Sequence, residues 1–63
     1  MINGSKIKEL REYAGLTQAE LGFAAGVSHA QISIIEAGKK DTHVNILVRI
    51  ADRLGVTVND LLK

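Results

Sequence analysis

The chain has 63 residues, eight basic and seven acidic, for a formal charge of +1 and a pI near 8.1, short of the values above about 9 that nucleic-acid-binding domains often show. A domain of this size buries only about 60% of its unfolded surface, so its core must be tightly packed, and the absence of cysteine removes both disulfide staples and thiolate metal sites. The N-terminus turns polar by Asn3 and Ser5, and no apolar run approaches the roughly 20 residues of a membrane span, so neither a signal peptide nor a span is expected and a reducing, cytoplasmic setting is.

A first helix is predicted from about Ser5 to Ala14, with Ser5 as its cap and Gly15 as its stop. Ile7, Leu10 and Ala14 recur at helical spacing and form its inner stripe, leaving Lys6, Lys8, Glu9 and Glu12 to solvent. Thr17 followed by Glu20 is a capping box: the hydroxyl accepts from an unpaired amide of the first turn and the carboxylate reaches back to the cap. The second helix therefore starts there, turns Leu21, Ala24 and Ala25 inward, and ends at Gly26, where a left-handed backbone closes the turn with Val27 behind it. Phe23, the only phenylalanine, is expected to pack at the edge of the core, the alternative being a ring that contacts a base or a partner. Ser28 with Gln31 makes a second box, Ile32 and Ile35 give one buried stripe, and Gly38 is the next stop. Two short helices joined by a tight turn at Gly26 and Val27 form a helix-turn-helix.

Beyond a loop over 39–42, Thr42 is the expected cap of a helix from about His43 to Leu54 that buries Val44, Leu47, Ile50, Ala51 and Leu54 and ends at Gly55. Val56 then packs inward, Thr57 caps, and Val58 to Leu62 form a short last helix whose Leu61 or Leu62 closes the core. The prediction is all-α, five helices with no strand, as one domain over residues 1–63.

The strings T-Q-A-E-L, A-G-V-S and Q-I-S-x-I-E-x-G-K within Thr17–Lys39 resemble the helix-turn-helix of the lambdoid phage repressor, Cro and xenobiotic-response-element-type regulators. The likeness runs from Ile2 to Leu62, taking in I-K-E-L-R-E before the motif and I-A-D-R-L-G-V-T-V-N-D-L-L after it. It implies a lambda-repressor-like DNA-binding domain: a sequence-specific transcriptional regulator, repressor or controller, that reads the major groove as a homodimer on a pseudo-palindromic operator. Such a chain is either complete in itself or the N-terminal part of a longer repressor. By the same resemblance Arg11 forms a partly buried ion pair with Glu36, as against an exposed or phosphate-contacting arginine. Gln18 holds a phosphate and braces the recognition helix, and His29, Ala30 and Ile34 touch bases. Two departures stand out. Gly22 replaces the usual alanine, costing up to about 1 kcal/mol of helix propensity, and Asp41-Thr42 replaces the common Asn-Pro of a phosphate-contacting loop.

The residues support the same face. With Ile32 and Ile35 buried, the outward positions are Ser28, His29, Gln31 and Ser33, with Ala30 and Ile34 beside them. Histidine and glutamine can pair with guanine or adenine edges, whereas alanine and isoleucine can meet only a thymine methyl. Capping alone would account for Gln31, and Ile34 either reads a methyl or covers neighbouring core. Lys39 and Lys40 are the phosphate candidates on the other side of the motif. Neither histidine has a partner for nucleophilic or acid-base work, and their spacing matches no usual metal site, so no catalytic residue, metal or cofactor is expected. The competing reading is a protein-interaction module, antitoxin-like or anti-repressor-like, that uses the uncharged Leu21–Ile35 surface for protein.

Overall fold

The computed structural model describes residues 2–39 and 41–62. Four α-helices follow one another, α1 Gly4–Tyr13, α2 Gln18–Ala25, α3 His29–Glu36 and α4 Val44–Leu54, and a single 3-10 turn, Val58–Leu61, comes last. The fold is all-helical, but the expected fifth helix is only that turn. Its capping box, Thr57 with Asp60, forms in full, yet four residues are too few for successive i→i+4 bonds to propagate. The described residues contain no strand beyond one isolated bridge between Ile2 and Leu62. The Asn3 amide donates to the Leu61 carbonyl nearby at 2.8 Å, so the first and last described residues lie side by side.

The first helix starts earlier than its pattern suggested. Asn3, not Ser5, is the cap: its side-chain oxygen accepts from the Lys6 amide at 3.1 Å and from the Ser5 hydroxyl at 3.0 Å. The Asn-Gly pair reads as a turn, which hides a helix start whose first residue is Gly4. That glycine is needed because a Cβ there would collide with the Ile35 carbonyl oxygen and lie 2.6 Å from that of Glu36, where α1 packs on the end of α3. Ile7 is buried and Leu10 partly so, but Ala14 has moved to the exposed C-cap position and does not join the stripe.

Both halves of the Thr17–Glu20 box are present, the Glu20 amide donating to Thr17 Oγ1 at 3.0 Å and the Thr17 amide to Glu20 Oε1 at 2.8 Å. Gly26 closes α2 with φ +78°, the left-handed conformation that only glycine adopts freely. The stops expected at Gly15, Gly38 and Gly55 have the same sign of φ. Only half of the second box forms: Ser28 Oγ accepts from the Gln31 amide at 3.2 Å, and no bond returns from the Gln31 side chain. At α4 the cap is His43 rather than Thr42, and no side chain caps the helix. Starting at Val44, the first turn lies past the rim of the core, so Val44 is exposed instead of buried.

Ile7, Leu21, Ala25, Ile32, Ile35, Leu47, Ile50, Ala51 and Leu61 make one core, with Leu54, Val56, Val58 and Leu62 packed against it. Each helix of the motif thus contributes two fully or almost fully buried residues. Roughly 1.5–3 kcal/mol per buried Leu or Ile relative to exposure is what holds α2 and α3 in fixed relation. Phe23 contributes nothing here: it is 91% exposed, and the core is closed by aliphatic side chains alone.

Candidate nucleic-acid interface

Eight-residue helices are too short to persist in isolation, so α3 is only as well placed as its anchors. On its inner side it has Ile32 and Ile35 in the core and, in its last turn, Glu36. Glu36 accepts from Arg11 twice, Nε to Oε2 at 2.6 Å and Nη2 to Oε1 at 3.1 Å, while Arg11 Nη1 donates to the Leu16 carbonyl at 2.8 Å. The two side chains are 9% and 3% exposed, so this is a buried, forked pair and not a surface charge contact. Donating to the Glu36 carboxylate raises the Arg11 guanidinium above its ordinary pKa against the opposing effect of burial. The ion pair inferred from family likeness is therefore present, and it ties α1 to the far end of α3.

Gln18 joins the same cluster. It is half-buried at the first position of α2, and its Nε2 donates to Glu36 Oε1 at 3.1 Å. The bracing part of its expected role is visible in this bond, and an amide nitrogen has a second hydrogen to offer outward.

The N-terminal end of α3 is bare. Ser28, His29, Ala30 and Ser33 are exposed, Gln31 is half-buried, and Ile34 is 39% exposed, at the border between the core and the outer face. Lys39 is exposed just beyond the helix, its amide bonded to the Ile34 carbonyl at 3.3 Å. Lys40 lies outside the described residues. The helix thus leaves Ser28, His29 and Ala30 accessible at its start and Ser33 and Ile34 accessible further along, while Gln18 meets it at its last turn through Glu36. The face is uncharged, since Glu36 is occupied by Arg11. Helix amides at the starts of α2 and α3 add partial positive charge to it.

Two positions that shape the site were misread or missed from sequence. Gly22 is buried, and a Cβ there would sit 2.6 Å from the Val27 carbonyl oxygen and 3.2 Å from Ser28. It is not a mere loss of propensity but the clearance that lets the turn fold back on α2. Gly4 does the same where α1 meets α3. A glycine inside a helical pattern was the available signal; what crosses it could not be read from one sequence.

A family model for the helix-turn-helix matches residues 7–61. The chain belongs to the helix-turn-helix family, of the xenobiotic-response-element type. An HTH-type transcriptional regulator from Methanocaldococcus jannaschii is 37% identical over 57 residues, which is 90% of this chain and 86% of the relative. Another, DdrOP3 from Deinococcus deserti, is 33% identical over 58 residues, 92% of this chain but 45% of the relative. The helix-turn-helix chain thus spans less than half of that second regulator. Among solved structures, the P22 c2 repressor in complex with a synthetic operator superposes with a TM-score of 0.93 at 28% identity, covering 100% of this chain and 96% of that one. The family is one of transcriptional regulators and not of enzymes. No helix among the described residues is long and apolar enough to cross a membrane.

Proposed function

We propose that this helix-turn-helix chain binds double-stranded DNA as a sequence-specific regulator, laying the N-terminal end of α3 in the major groove. The single observation that carries the reading is the contrast along α3: three buried anchors, Ile32, Ile35 and Glu36, fix its back, while Ser28, His29 and Ala30 at its start and Ser33 in its middle are left exposed. A groove-reading helix needs both. In this reading His29, Ala30, Ile34 and the half-buried Gln31 meet base edges, with Ser28 and Ser33 beside them. Gln18, Lys39 and Lys40 hold phosphates. The P22 c2 repressor, seen with its operator, supports it by likeness over the whole chain.

One such helix reads only a few base pairs, so two copies are proposed to pair on a pseudo-palindromic operator with their α3 helices about 34 Å apart. The seam is proposed at the last turn and the end of α4: Leu61 is fully buried in the core, which leaves Val58, Leu62 and the end of α4 to meet the second copy. Selection of bound duplexes from a random pool, followed by sedimentation on the selected site, tests both parts. A recovered inverted repeat with two chains per duplex is the expected outcome. A saturating stoichiometry of one removes the dimer, and failure to enrich any sequence removes specific reading.

A further inference from the structure

Both aromatic residues of the chain are unburied, Tyr13 at 92% and Phe23 at 91% exposure, and Phe23 stands beside a groove. The groove has a volume of ≈ 520 Å³ and runs between α2 and α4, lined by Leu16, Ala19, Phe23 and Ala24 with Glu20 and Arg53 among its lining residues. A large apolar side chain projecting next to an apolar groove is costly to leave in water, and an exposed patch rimmed by charge marks an interaction site more often than an isolated exposed residue does. The patch is not part of the proposed DNA face. Gln18 points at Glu36 on α3, and Phe23, five residues later, lies about 140° further round the helix at 100° per residue.

From this surface we infer that two copies of the chain pair face to face, each Phe23 seating in the groove of the other. A two-fold contact must be self-complementary, with residue i meeting j and j meeting i. This patch carries knob and hole together. Its charges match in the same sense, because Glu20 on α2 would meet Arg53 of a second copy's α4, and Arg53 would meet that copy's Glu20. Glu20 has an oxygen to offer: Oε1 is held by the Thr17 amide, and Oε2 accepts no hydrogen bond from the described residues. The only ion pair among the described residues is Arg11 with Glu36; Arg53 lies close enough to Glu20 of its own chain to add, after the Thr17 hydrogen bonds, to the lowering of that carboxyl's pKa, but makes no ion pair with a described residue. A patch this small falls at the weak end of protein interfaces, so the pairing is reversible in free solution. Where DNA holds copies on adjacent sites, a consequence that rests on the reading above, high effective concentration makes the same contact a source of cooperativity between neighbours.

Sedimentation of the free protein needs no DNA, so its result is separate from the fate of the DNA-binding reading. Association is measured from about 10 µM to about 1 mM, the range in which weak contacts form and dissociate. Wild-type chain should associate reversibly, and Phe23→Ala should lower the association constant at least about tenfold, as loss of a central aromatic anchor does, with thermal unfolding unchanged because the ring packs on nothing in its own core. Arg53→Glu and Glu20→Arg should each associate less than wild type, since each sets like charges opposite one another. Their equimolar mixture should recover association, because the mixed pair restores both opposite-sign contacts. Three results overturn the inference: a monomer throughout the range, which leaves the face to a different protein; Phe23→Ala that associates like wild type; or a mixture no better than its components.

Discussion

Replacing Glu36 by alanine is the substitution whose cost can be worked most directly from the structure. It removes three hydrogen bonds at once, two from Arg11 and one from Gln18, and leaves a guanidinium whose side chain is 9% exposed with only the Leu16 carbonyl as acceptor. Breaking a buried pair on one side costs about 3–5 kcal/mol, because the remaining charge is neither hydrated nor matched, whereas an exposed pair is worth under about 1. A domain of this length has a total stability of roughly 3–9 kcal/mol, so the variant should be close to unfolded at room temperature. At about 4–8 °C per kcal/mol, the midpoint should fall by at least about 12 °C. Thermal unfolding followed by circular dichroism reads this against Glu12→Ala, an exposed glutamate on α1. Arg11→Ala and the double variant complete a cycle whose coupling energy should be large, since the second loss costs little once the first is made. A Glu36→Ala shift no larger than that of Glu12→Ala would refute the claim that this pair anchors α3.

Gly22→Ala should destabilise the fold by about 1–3 kcal/mol through a clash with the Val27 carbonyl, although alanine is the better helix former by about 1 kcal/mol; a raised midpoint in urea unfolding would show that the turn has room. Hydrogen bonds from Thr17 and from Thr57 hold the carboxyls of Glu20 and Asp60 below their ordinary pKa. Their folded values are therefore lower than their unfolded ones, and the stability they contribute is complete only above the ordinary values, 3.8 for Asp60 and 4.5 for Glu20, and is lost as pH falls through the folded values. Glu20→Gln, which can still accept the Thr17 amide but cannot ionise, should flatten the acid limb of a stability-versus-pH curve, and an unchanged limb would count against the assignment.

The helix-turn-helix was legible because its signals are local. Thr17 with Glu20, Gly26 at the turn, and Ile32 with Ile35 each act over three or four residues, and each is found where the pattern put it. Arg11 with Glu36 spans twenty-five positions and no periodicity could pair them; family likeness supplied it. What failed were ends and outliers. Asn3-Gly4 looks like a turn but opens α1, because backbone crowding from α3 demands a glycine. Val44 fits the stripe of α4 yet falls past the core's rim. Scarcity alone points Phe23 toward packing, and scarcity says nothing about which side of a helix the core lies on. Counting from Leu21 and Ala25 would have put the ring on the opposite face.

Salt dependence of duplex binding, measured for wild type, Lys39→Ala and His29→Ala above the ordinary histidine pKa of about 6.5, tests the central claim most directly. Phosphate contacts release counterions and add affinity to every sequence alike, while base contacts discriminate. Wild-type affinity should therefore fall steeply with salt. Lys39→Ala should lower the slope by about one and weaken specific and non-specific duplexes equally; His29→Ala should keep the slope and lose about 1–3 kcal/mol of preference at one base pair. An affinity for duplex that hardly responds to salt, or a His29→Ala variant that lowers the slope and leaves base preference intact, would contradict the account.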